Sequence, residues 1–346
     1  MRIIHLASQY PPEKVFGLGR FVQDLAIEQV RMGHEVHVVT NSMSGRDREV
    51  LDEGVQVHRV DFPPPPKPPD NGSTVTQFNV QLIERVFKDW ICPKVDVVNA
   101  HDWLTALAGE AVARQRNAAF LVTIHDLIVG KRFNELDDES RYVGNIEHWL
   151  MREADGLICV SHHTQGEAIA RYGAPSDKTH AIHNAVSEER FKRPDPKFLR
   201  RFRRALANDE ERLVLYVGRL DPEKGVEVLL QAFASVLGER LRAKLVLAGS
   251  GTLEESLRKK CVELGMDKST VFAGYVQGEA LNYLYRCADA LAVPSLYEPF
   301  GIVALEGMIC GAPVVASDTG GLNEILRGGK DGLLVKPGSV VDFSRL

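Results

Sequence analysis

The sequence SLYEPFGIVALEGM, residues 295–308, joins the end of an apolar segment to a turn and then to a helical pattern. LAVPSL (291–296) is an apolar run of strand length. Pro299 suits a first helical position, because proline has no N–H to leave unsatisfied there. From Phe300 onward apolar residues recur at helical spacing, which predicts a helix packed inside a domain. The start of such a helix carries unpaired N–H groups and a partial positive charge, so it is a suitable place for an anion.

Two carboxylates, Glu298 and Glu306, flank this predicted helix start. By their spacing alone, a structural pair made of a helix-capping glutamate and a partly buried, paired glutamate is as good an interpretation as a functional site. The surrounding sequence favours a binding site. YVGRLDPEKG (216–225) predicts a strand and a turn with two cations, and VVASDTGGLNEIL (314–326) predicts a strand, a Gly-rich turn and a helix start. The carboxyl ends of parallel strands lie along one edge of a sheet, where ligands bind.

The composition indicates an ordinary globular protein with room for two domains: 346 residues, 44% hydrophobic and 26% charged. The net charge of −5 gives no general attraction for nucleic acid or anionic membranes. The five cysteines form no C-x-x-C pair, which disfavours a metal knuckle or disulfide framework and favours a reducing, cytoplasmic compartment. MRIIHLASQYPP resembles a buried strand more than a signal peptide, and no apolar run approaches the ~18 residues of a membrane span.

Strand and helix patterns alternate along the chain. RIIHLAS (2–8), a loop with Gly17 and Gly19, a helix at 21–33 and a strand at 34–41 predict a βαβ unit. The second half repeats this alternation, so the sequence predicts an α/β protein of two doubly wound, Rossmann-like domains with a cleft between them.

We place the boundary of these domains before a basic run at 191–213, giving domains 1–187 and 188–346. The basic run predicts a solvated helix face, with binding to an anionic polymer as the alternative. PPPPKPPD (63–70) predicts a stiff exposed connection, with a partner-binding segment as the alternative.

Two nucleotide-binding classes are disfavoured by the glycine pattern. GLGRFV departs from G-x-G-x-x-G because Val22 occupies the third glycine position. The following strand ends in Thr40 and Asn41 and not in the acidic residue that binds the ribose of NAD, which argues against a dehydrogenase. The absence of G-x4-G-K-[ST] argues against a P-loop nucleotidase.

GRLDPEKG (218–225) followed by EPFGIVALE (298–306) resembles the retaining family-4 glycosyltransferases of the GT-B fold, and especially glycogen and starch synthases. HDW at 101–103 and TIHD at 123–126 resemble glycogen synthase segments that face the cleft. The resemblance covers most of the chain. It implies that residues 1–187 form the acceptor-side domain and residues 188–346 the nucleotide-sugar-binding domain.

The resemblance also implies a role for each candidate residue. His125 would contact the donor sugar near its reacting carbon, Glu298 the sugar hydroxyls, and Glu306 the ribose hydroxyls. Arg219 and Lys224 would neutralise the leaving diphosphate, since an arginine grips phosphate through two N–H groups and a lysine adds a point charge. The implied set consists of a catalytic group (His125, Arg219, Lys224, Glu298), a donor-binding group (Gly17, Gly19, Phe300, Gly301, Glu306, Thr319, Gly320, Gly321) and an acceptor-side pair (Asp102, Trp103). The loop before Gly17 resembles the Lys–Gly–Gly loop of glycogen synthases, in which Lys14 would approach the donor, but Phe16 and Leu18 depart from the paired glycines.

Fixed cations make a metal unnecessary, and we predict neither a metal nor a cofactor beyond the nucleotide diphosphosugar. No D-x-D-like pair ends a strand, and Asp137 with Asp138 is predicted in a polar loop. We expect no nucleophile or general base at Glu298, because a front-face mechanism lets the leaving phosphate deprotonate the acceptor.

The favoured function is retaining transfer of a hexose, with glucose preferred, from a nucleotide diphosphosugar to an α-glucan. Transfer to a lipid, a small sugar or a sugar phosphate stays open, as do the donor base (ADP, UDP or GDP) and the oligomeric state. A non-catalytic nucleotide-sugar-binding protein is an alternative of another class. It is kept because the chain stops shortly after GLLVKPG (332–338), where family members continue with further helices, so C-terminal helices are expected to be missing.

Overall fold

The chain divides into two compact units, Met1–Asn184 and Ala185–Leu346. The computed structural model describes residues 1–12, 16–42, 48–61, 71–88, 91–131, 137–237 and 242–345. Lys14 and the proline-rich connection at 63–70 lie outside these residues, so their predictions stay predictions.

The first unit is built on a mostly parallel sheet. Its strands in the described residues are β1 (Arg2–Ala7), β2 (Glu35–Ser42), β3 (Arg48–Asp52), β4 (Val55–Asp61), β5 (Val97–His101), β6 (Ala119–Ile124), β7 (Gly156–Cys159) and β8 (Thr179–Ala181). They lie in the order β3-β4-β2-β1-β5-β6-β7-β8, and only the β3–β4 pair of these is antiparallel. The order reverses between β1 and β5, the position at which open α/β sheets bind ligands. The edge strand β3 was not predicted.

Helices connect these strands, as parallel pairing requires. In the described residues they are α1 (Gly17–Arg31), α2 (Asn71–Lys88), α3 (Ala106–Arg116), α4 (Ile128–Lys131), α5 (Asp138–Glu153) and α6 (His162–Tyr172). The predicted glycine loop is wrong, since α1 begins at Gly17 and includes Gly19. The predicted polar loop at Asp137 and Asp138 is also wrong, because Asp137 caps α5 by accepting the N–H of Ser140 at 2.8 Å.

The second unit has a fully parallel sheet in its described residues. The strands are β9 (Arg212–Val217), β10 (Ala243–Ala248), β11 (Thr270–Gly274), β12 (Ala290–Val293), β13 (Val314–Ser317) and β14 (Leu333–Val335). Their order is β11-β10-β9-β12-β13-β14, which is the 3-2-1-4-5-6 order of the doubly wound nucleotide-binding fold. The strand order therefore reverses between the neighbouring strands β9 and β12. Both sheets confirm the predicted α/β class with two Rossmann-like units.

The helices of the second unit in the described residues are α7 (Pro196–Arg204), α8 (Val226–Val236), α9 (Glu254–Glu263), α10 (Gly278–Cys287), α11 (Ile302–Cys310), α12 (Leu322–Ile325) and α13 (Val340–Ser344). The prediction that α11 starts at Pro299 is wrong by three residues. Gly301 has φ 99° and precedes the helix in the left-handed region, so Pro299 and Phe300 belong to the turn. The basic segment forms α7, which has no buried residue.

Each unit has its own apolar clusters, which pack against both faces of its sheet. Strand residues such as Ile4, Leu6 and Val98 are fully buried in the first unit, and Leu213, Leu215 and Leu291 are fully buried in the second. All five cysteines are buried and free of disulfides. Within the described residues, no helix combines the length and the apolar character needed to cross a bilayer.

Candidate active site

Three loops of the second unit meet at the carboxyl ends of the adjacent strands β9, β12 and β13. Lys224, in the turn after β9, places Nζ 2.9 Å from Oε2 of Glu298, which follows β12. The backbone N–H of Gly321, after β13, donates to the carbonyl of Glu298 at 2.9 Å. The backbone N–H of Leu296 donates to the carbonyl of Glu223 at 2.8 Å. The structure thus brings the predicted cation, carboxylate and Gly-rich turn together.

Close approach of these loops explains two of the glycines. Gly225 has φ 62°, and a Cβ added there would lie 2.1 Å from the carbonyl oxygen of Pro294. At Gly321 an added Cβ would lie 2.5 Å from Cα of Phe300. Both distances are far below van der Waals contact with rigid backbone, so the loops pack this closely only because these side chains are absent.

Glu298 is a nearly buried carboxylate with two donors on the same oxygen. Its side chain is 12% exposed, and Oε2 accepts from Lys224 Nζ and from Ser295 Oγ, each at 2.9 Å. A buried charge requires such pairing. Ser295 stands at the end of an apolar run and carries no functional signal in the sequence.

Arg219 forms ion pairs with two carboxylates of its own turn. One terminal nitrogen contacts Asp221 Oδ2, and the other lies 2.5 Å from Glu223 Oε1. Asp221 is itself held by the backbone N–H and the hydroxyl of Thr252, both at 2.9 Å from Oδ1. The Arg219 side chain is one-third exposed at 34%, so its guanidinium is held by salt bridges while part of the side chain remains accessible to a ligand.

The turn before α11 and the first turn of that helix contain the next candidates. Phe300 is buried, and the backbone of Gly301 leads into the helix at Ile302. Glu306 therefore lies about one turn into the helix. Its carboxylate accepts from the hydroxyl of Tyr285 at 2.7 Å and lies 3.7 Å from Arg190.

Tyr285 and Arg190 were missed by sequence reasoning. Tyr285 belongs to an apolar helical pattern and Arg190 to a polar connection, and neither context indicates a partner for Glu306. Burial, followed by the charge of Glu306, raises the pKa of Tyr285 well above its ordinary value, so the phenol remains a hydrogen-bond donor.

The turn from Thr319 to Gly321 is the last part of this site in sequence order. Thr319 Oγ1 donates to the carbonyl of Leu296 at 3.3 Å, and Gly320 has φ 55°. These contacts tie the turn after β13 to the turn after β12. The predicted Gly-rich loop therefore lies beside Glu298 in the folded unit.

The first unit places its candidates at the ends of β5 and β6. Asp102 has φ 58°, unusual for a residue other than glycine, and is buried. Its Oδ1 accepts the backbone N–H of His125 at 2.6 Å, so its carboxylate holds the position of the histidine. Trp103 is half-buried, with its ring edge-on to Tyr142 at 6.5 Å between centroids.

His125 begins a chain of three imidazoles that the sequence did not predict. Its Nε2 lies 3.0 Å from Nδ1 of His101, whose Nε2 lies 3.1 Å from Nδ1 of His5. Nε2 of His5 lies 2.7 Å from Oε1 of Gln29. Burial lowers the pKa of His5 and of His125 to about 4. The pKa of His101 is lowered well below its ordinary value, first by burial and then by the neighbouring histidines.

Gly17 and Gly19 lie in the first turn of α1 and not in a loop. Gly17 is exposed, and Gly19 is buried. The first N–H groups of a helix have no partner within it, so this turn offers backbone donors. The two glycines keep side chains away from these donors.

One of the two groups of potential metal ligands among the described residues lies near the amino ends of the strands of the first sheet. Ligand atoms of Glu35, His37 and Cys92 lie within 4.8 Å of one another. Burial raises the pKa of the Cys92 thiol to about 11, which disfavours the thiolate that a metal requires.

Two family models match the chain. Residues 15–190 match the model described as Glycosyltransferase Family 4, and residues 199–346 match the model described as Glycosyl transferases group 1. The matches therefore extend over both units.

Known proteins are similar over nearly the whole length. An uncharacterized glycosyltransferase of Methanocaldococcus jannaschii is 35% identical over 97% of this chain and 85% of its own. A glycogen synthase of Mycobacterium tuberculosis is 31% identical over 99% and 84%, respectively. A D-inositol 3-phosphate glycosyltransferase of Streptomyces scabiei is 29% identical over 95% and 77%. The structure of a sucrose-phosphate synthase from Thermosynechococcus elongatus matches with a TM-score of 0.82 and 26% identity, covering 99% of this chain and 88% of that one.

Proposed function

This chain belongs to glycosyltransferase family 4 and has the GT-B fold, and from that premise we propose that it transfers a hexose, preferably glucose, from a nucleotide diphosphosugar to an α-glucan. The observation that carries the proposal is the cluster of Arg219, Lys224 and Glu298 at the strand ends flanking the crossover of the second sheet. The similarity to a glycogen synthase supports the choice of acceptor.

The diphosphate of the donor binds at this cluster. Arg219 is one-third exposed and is already oriented by Asp221 and Glu223. A phosphate exchanges with one of these carboxylates, which conserves the charge pairing of the guanidinium. Lys224 adds a second positive charge, and charge-assisted hydrogen bonds of this kind contribute about 1.5–3 kcal/mol each. The turn of Phe300 and Gly301 and the turn of Thr319, Gly320 and Gly321 supply backbone donors to the donor molecule.

The transferred sugar and the ribose are recognised by carboxylates. Glu298 binds sugar hydroxyls near the transferring carbon through its second carboxylate oxygen, beside the one held by Lys224 and Ser295. Glu306 binds the ribose hydroxyls. In the first unit, His125 contacts the transferred sugar, Asp102 and Trp103 serve the acceptor side, and Gly17 and Gly19 supply donor contacts.

The reaction retains the anomeric configuration. The bond between the anomeric carbon and the β-phosphate oxygen breaks, and its electron pair stays on that oxygen. The acceptor hydroxyl oxygen forms the new bond on the same face and gives its proton to the leaving phosphate. Arg219 and Lys224 stabilise the negative charge that develops on the phosphate. Stabilisation of developing charge by fixed groups is usually the largest contribution to catalysis. No metal or cofactor is needed for this step, and the five free cysteines suit a reducing, cytoplasmic compartment.

The experiment is a transfer assay with ADP-, UDP- and GDP-glucose on glycogen, in which labelled product is digested with an α-specific glucanase. The proposal predicts α-linked incorporation from at least one donor with EDTA present. Absence of incorporation from all three donors, with no hydrolysis of any, would refute it.

A second acceptor class is favoured by one specific observation, the similarity to a D-inositol 3-phosphate glycosyltransferase. A parallel assay with inositol phosphates separates the two. Incorporation into the small phosphate-bearing acceptor, with glycogen inactive, would assign the second function.

A further inference from the structure

We propose that Gln29, His5 and His101 are positioning residues that fix the tautomer of His125, so that its Nδ1 presents a lone pair and not an N–H to the sugar. The proposal rests on the proposed function only for the identity of the group that His125 faces.

The first step concerns the protonation state of the three imidazole rings. His5 and His101 are fully buried, and the folded protein lowers the pKa of all three rings. Near neutral pH each ring is therefore neutral and carries a single N–H. A neutral imidazole donates from one nitrogen and accepts at the other, so each ring must have one of two tautomers.

The second step is the direction of the hydrogen bonds. The amide oxygen Oε1 of Gln29 faces Nε2 of His5 at 2.7 Å and can only accept, so His5 carries its proton on Nε2. Nδ1 of His5 is then an acceptor, and His101 must donate from its own Nε2 at 3.1 Å. Nδ1 of His101 in turn accepts from Nε2 of His125 at 3.0 Å.

An independent contact gives the same direction. The side-chain nitrogen of Asn99 lies 3.5 Å from Nδ1 of His5. Because that nitrogen is only a donor, it suits a bare Nδ1 and would oppose an N–H there. The hydroxyl of Thr123 lies 3.1 Å from both amide atoms of Asn99 and, as both donor and acceptor, is satisfied by Asn99 in this orientation.

The consequence appears at the strand end. With its single proton engaged on Nε2, His125 has a bare Nδ1, which contacts no hydrogen-bond partner among the residues that the structure describes. A bare nitrogen accepts a hydrogen bond from a sugar hydroxyl, whereas the other tautomer would donate one. The backbone of the same residue is fixed by Asp102 and its ring by edge contact with Phe21 at 4.8 Å between centroids.

The imidazole chain of His5 and His101 positions His125 and does not conduct protons away from it. A proton entering at Nδ1 of His125 could shift one proton along each link, but the last acceptor is the amide oxygen of Gln29, which does not hold a proton near neutral pH. The buried rings of His5 and His101 therefore orient His125 and select its tautomer. Hydrogen-bond partners behind a ligating or catalytic histidine fix its protonated nitrogen in the same way.

The test is nitrogen NMR of the full chain labelled with ¹⁵N-histidine at pH 8, with the His125 signal assigned by its loss in His125→Gln. The expected result is protonation of His125 at Nε2. In Gln29→Leu, which removes the terminal acceptor, a substantial fraction of His125 should be protonated at Nδ1. Gln29→Lys, which offers a donor to His5, should increase that fraction. Gln165→Leu removes a different half-buried glutamine hydrogen bond in the same unit, to the carbonyl of Thr179, and should leave the tautomer unchanged.

Kinetics add a second readout, in which Gln29→Leu lowers kcat for sugar transfer by about tenfold with the donor KM changed less than about twofold. Protonation of His125 at Nδ1 in the unsubstituted protein, or a tautomer unmoved by both Gln29 variants, would overturn the inference. If the tautomers follow the expectation while the unsubstituted protein transfers no sugar, the proposed function fails and the positioning role stands.

Discussion

Nζ of Lys224 lies 2.9 Å from Oε2 of Glu298, and this ion pair joins two loops. Its two residues are 74 positions apart in the sequence. Both side chains are less than one-fifth exposed, at 18% and 12%. The pair lies where the strand order of the second sheet reverses, beside the Gly321 N–H that donates to the carbonyl of Glu298. It therefore links the stability of the loops to the charge balance of the proposed diphosphate site.

Replacement of Lys224 should destabilise the second unit as well as remove activity. Lys224→Met leaves Glu298 nearly buried without its cation, and loss of one partner of a buried pair costs roughly 3 kcal/mol. Adding Glu298→Gln to Lys224→Met should recover about 1–3 kcal/mol through the coupling of the two sites. Hydrogen exchange of peptides from 290–310 measures both effects. If the stability losses of the two single variants simply added in the double variant, the interaction between Lys224 and Glu298 would contribute nothing to stability.

Substitution at Gly225 should be far more costly than at another glycine with the same backbone conformation. Gly225 and Gly265 have φ of 62° and 67°, but an added Cβ contacts the Pro294 carbonyl at the first and nothing within 4 Å at the second. Gly265→Ala should cost about 1 kcal/mol for left-handed backbone. Gly225→Ala should cost about 1–3 kcal/mol more, because rigid backbone must move. Thermal unfolding of the two variants makes the comparison, and equal losses would contradict the close approach.

Asp102 should act through the backbone of His125. Asp102→Ala removes the acceptor 2.6 Å from the His125 N–H and should cost about 1–3 kcal/mol. Asp102→Asn keeps an acceptor oxygen and tolerates positive φ, so it should retain most of the stability. Loss of position should lower kcat in the alanine variant by about tenfold or more. Tryptophan fluorescence measures unfolding of the first unit alone, since all three tryptophans (Trp90, Trp103, Trp149) lie within residues 1–184. Equal losses of stability and of kcat in Asp102→Ala and Asp102→Asn would argue against this role.

The first unit should lose stability as the pH falls from about 6.5 to about 4. The pKa of His5 is about 4 in the folded protein and about 6.5 in the unfolded chain, so the unfolded chain binds the proton first on acidification. Each such histidine contributes a slope of up to about 1.4 kcal/mol per pH unit within this window and none above it. Urea unfolding followed by tryptophan fluorescence at pH 5 and pH 7.5 gives the difference. His5→Asn should reduce that difference, and an unchanged difference would contradict a buried, neutral His5.

The strand ends were predictable because their signals are local. Buried parallel strands are continuous apolar runs, so β9, β12 and β13 and the loops after them follow from periodicity and glycine content. The sequence therefore predicted that Arg219, Lys224, Glu298 and Gly321 would share one edge of a sheet. The start of α11 was mispredicted because Pro299 suits a helix start, while the left-handed Gly301 delays the helix to Ile302.

Contacts between distant segments carry no such local signal. The imidazole chain joins His5, His101 and His125, which belong to three strands or strand ends and become neighbours only through the order β1-β5-β6. In the sequence His5 is one polar residue within a buried strand. The partners of Glu306, which are Tyr285 and Arg190, were likewise set by tertiary placement of side chains, which the spacing of residue types leaves undetermined.

Sugar transfer by a matched pair of double variants tests the central claim most directly. Arg219→Ala/Lys224→Ala removes both cations of the proposed diphosphate site, and Arg242→Ala/Lys259→Ala removes one arginine and one lysine that are 76% and 71% exposed in the same unit. With the preferred nucleotide sugar and circular dichroism confirming folded protein, the first variant should lose about 10³-fold or more in kcat/KM. The second should match the unsubstituted protein. Turnover within about twofold of the unsubstituted protein in a folded Arg219→Ala/Lys224→Ala variant would contradict the assignment of these two cations to the leaving diphosphate.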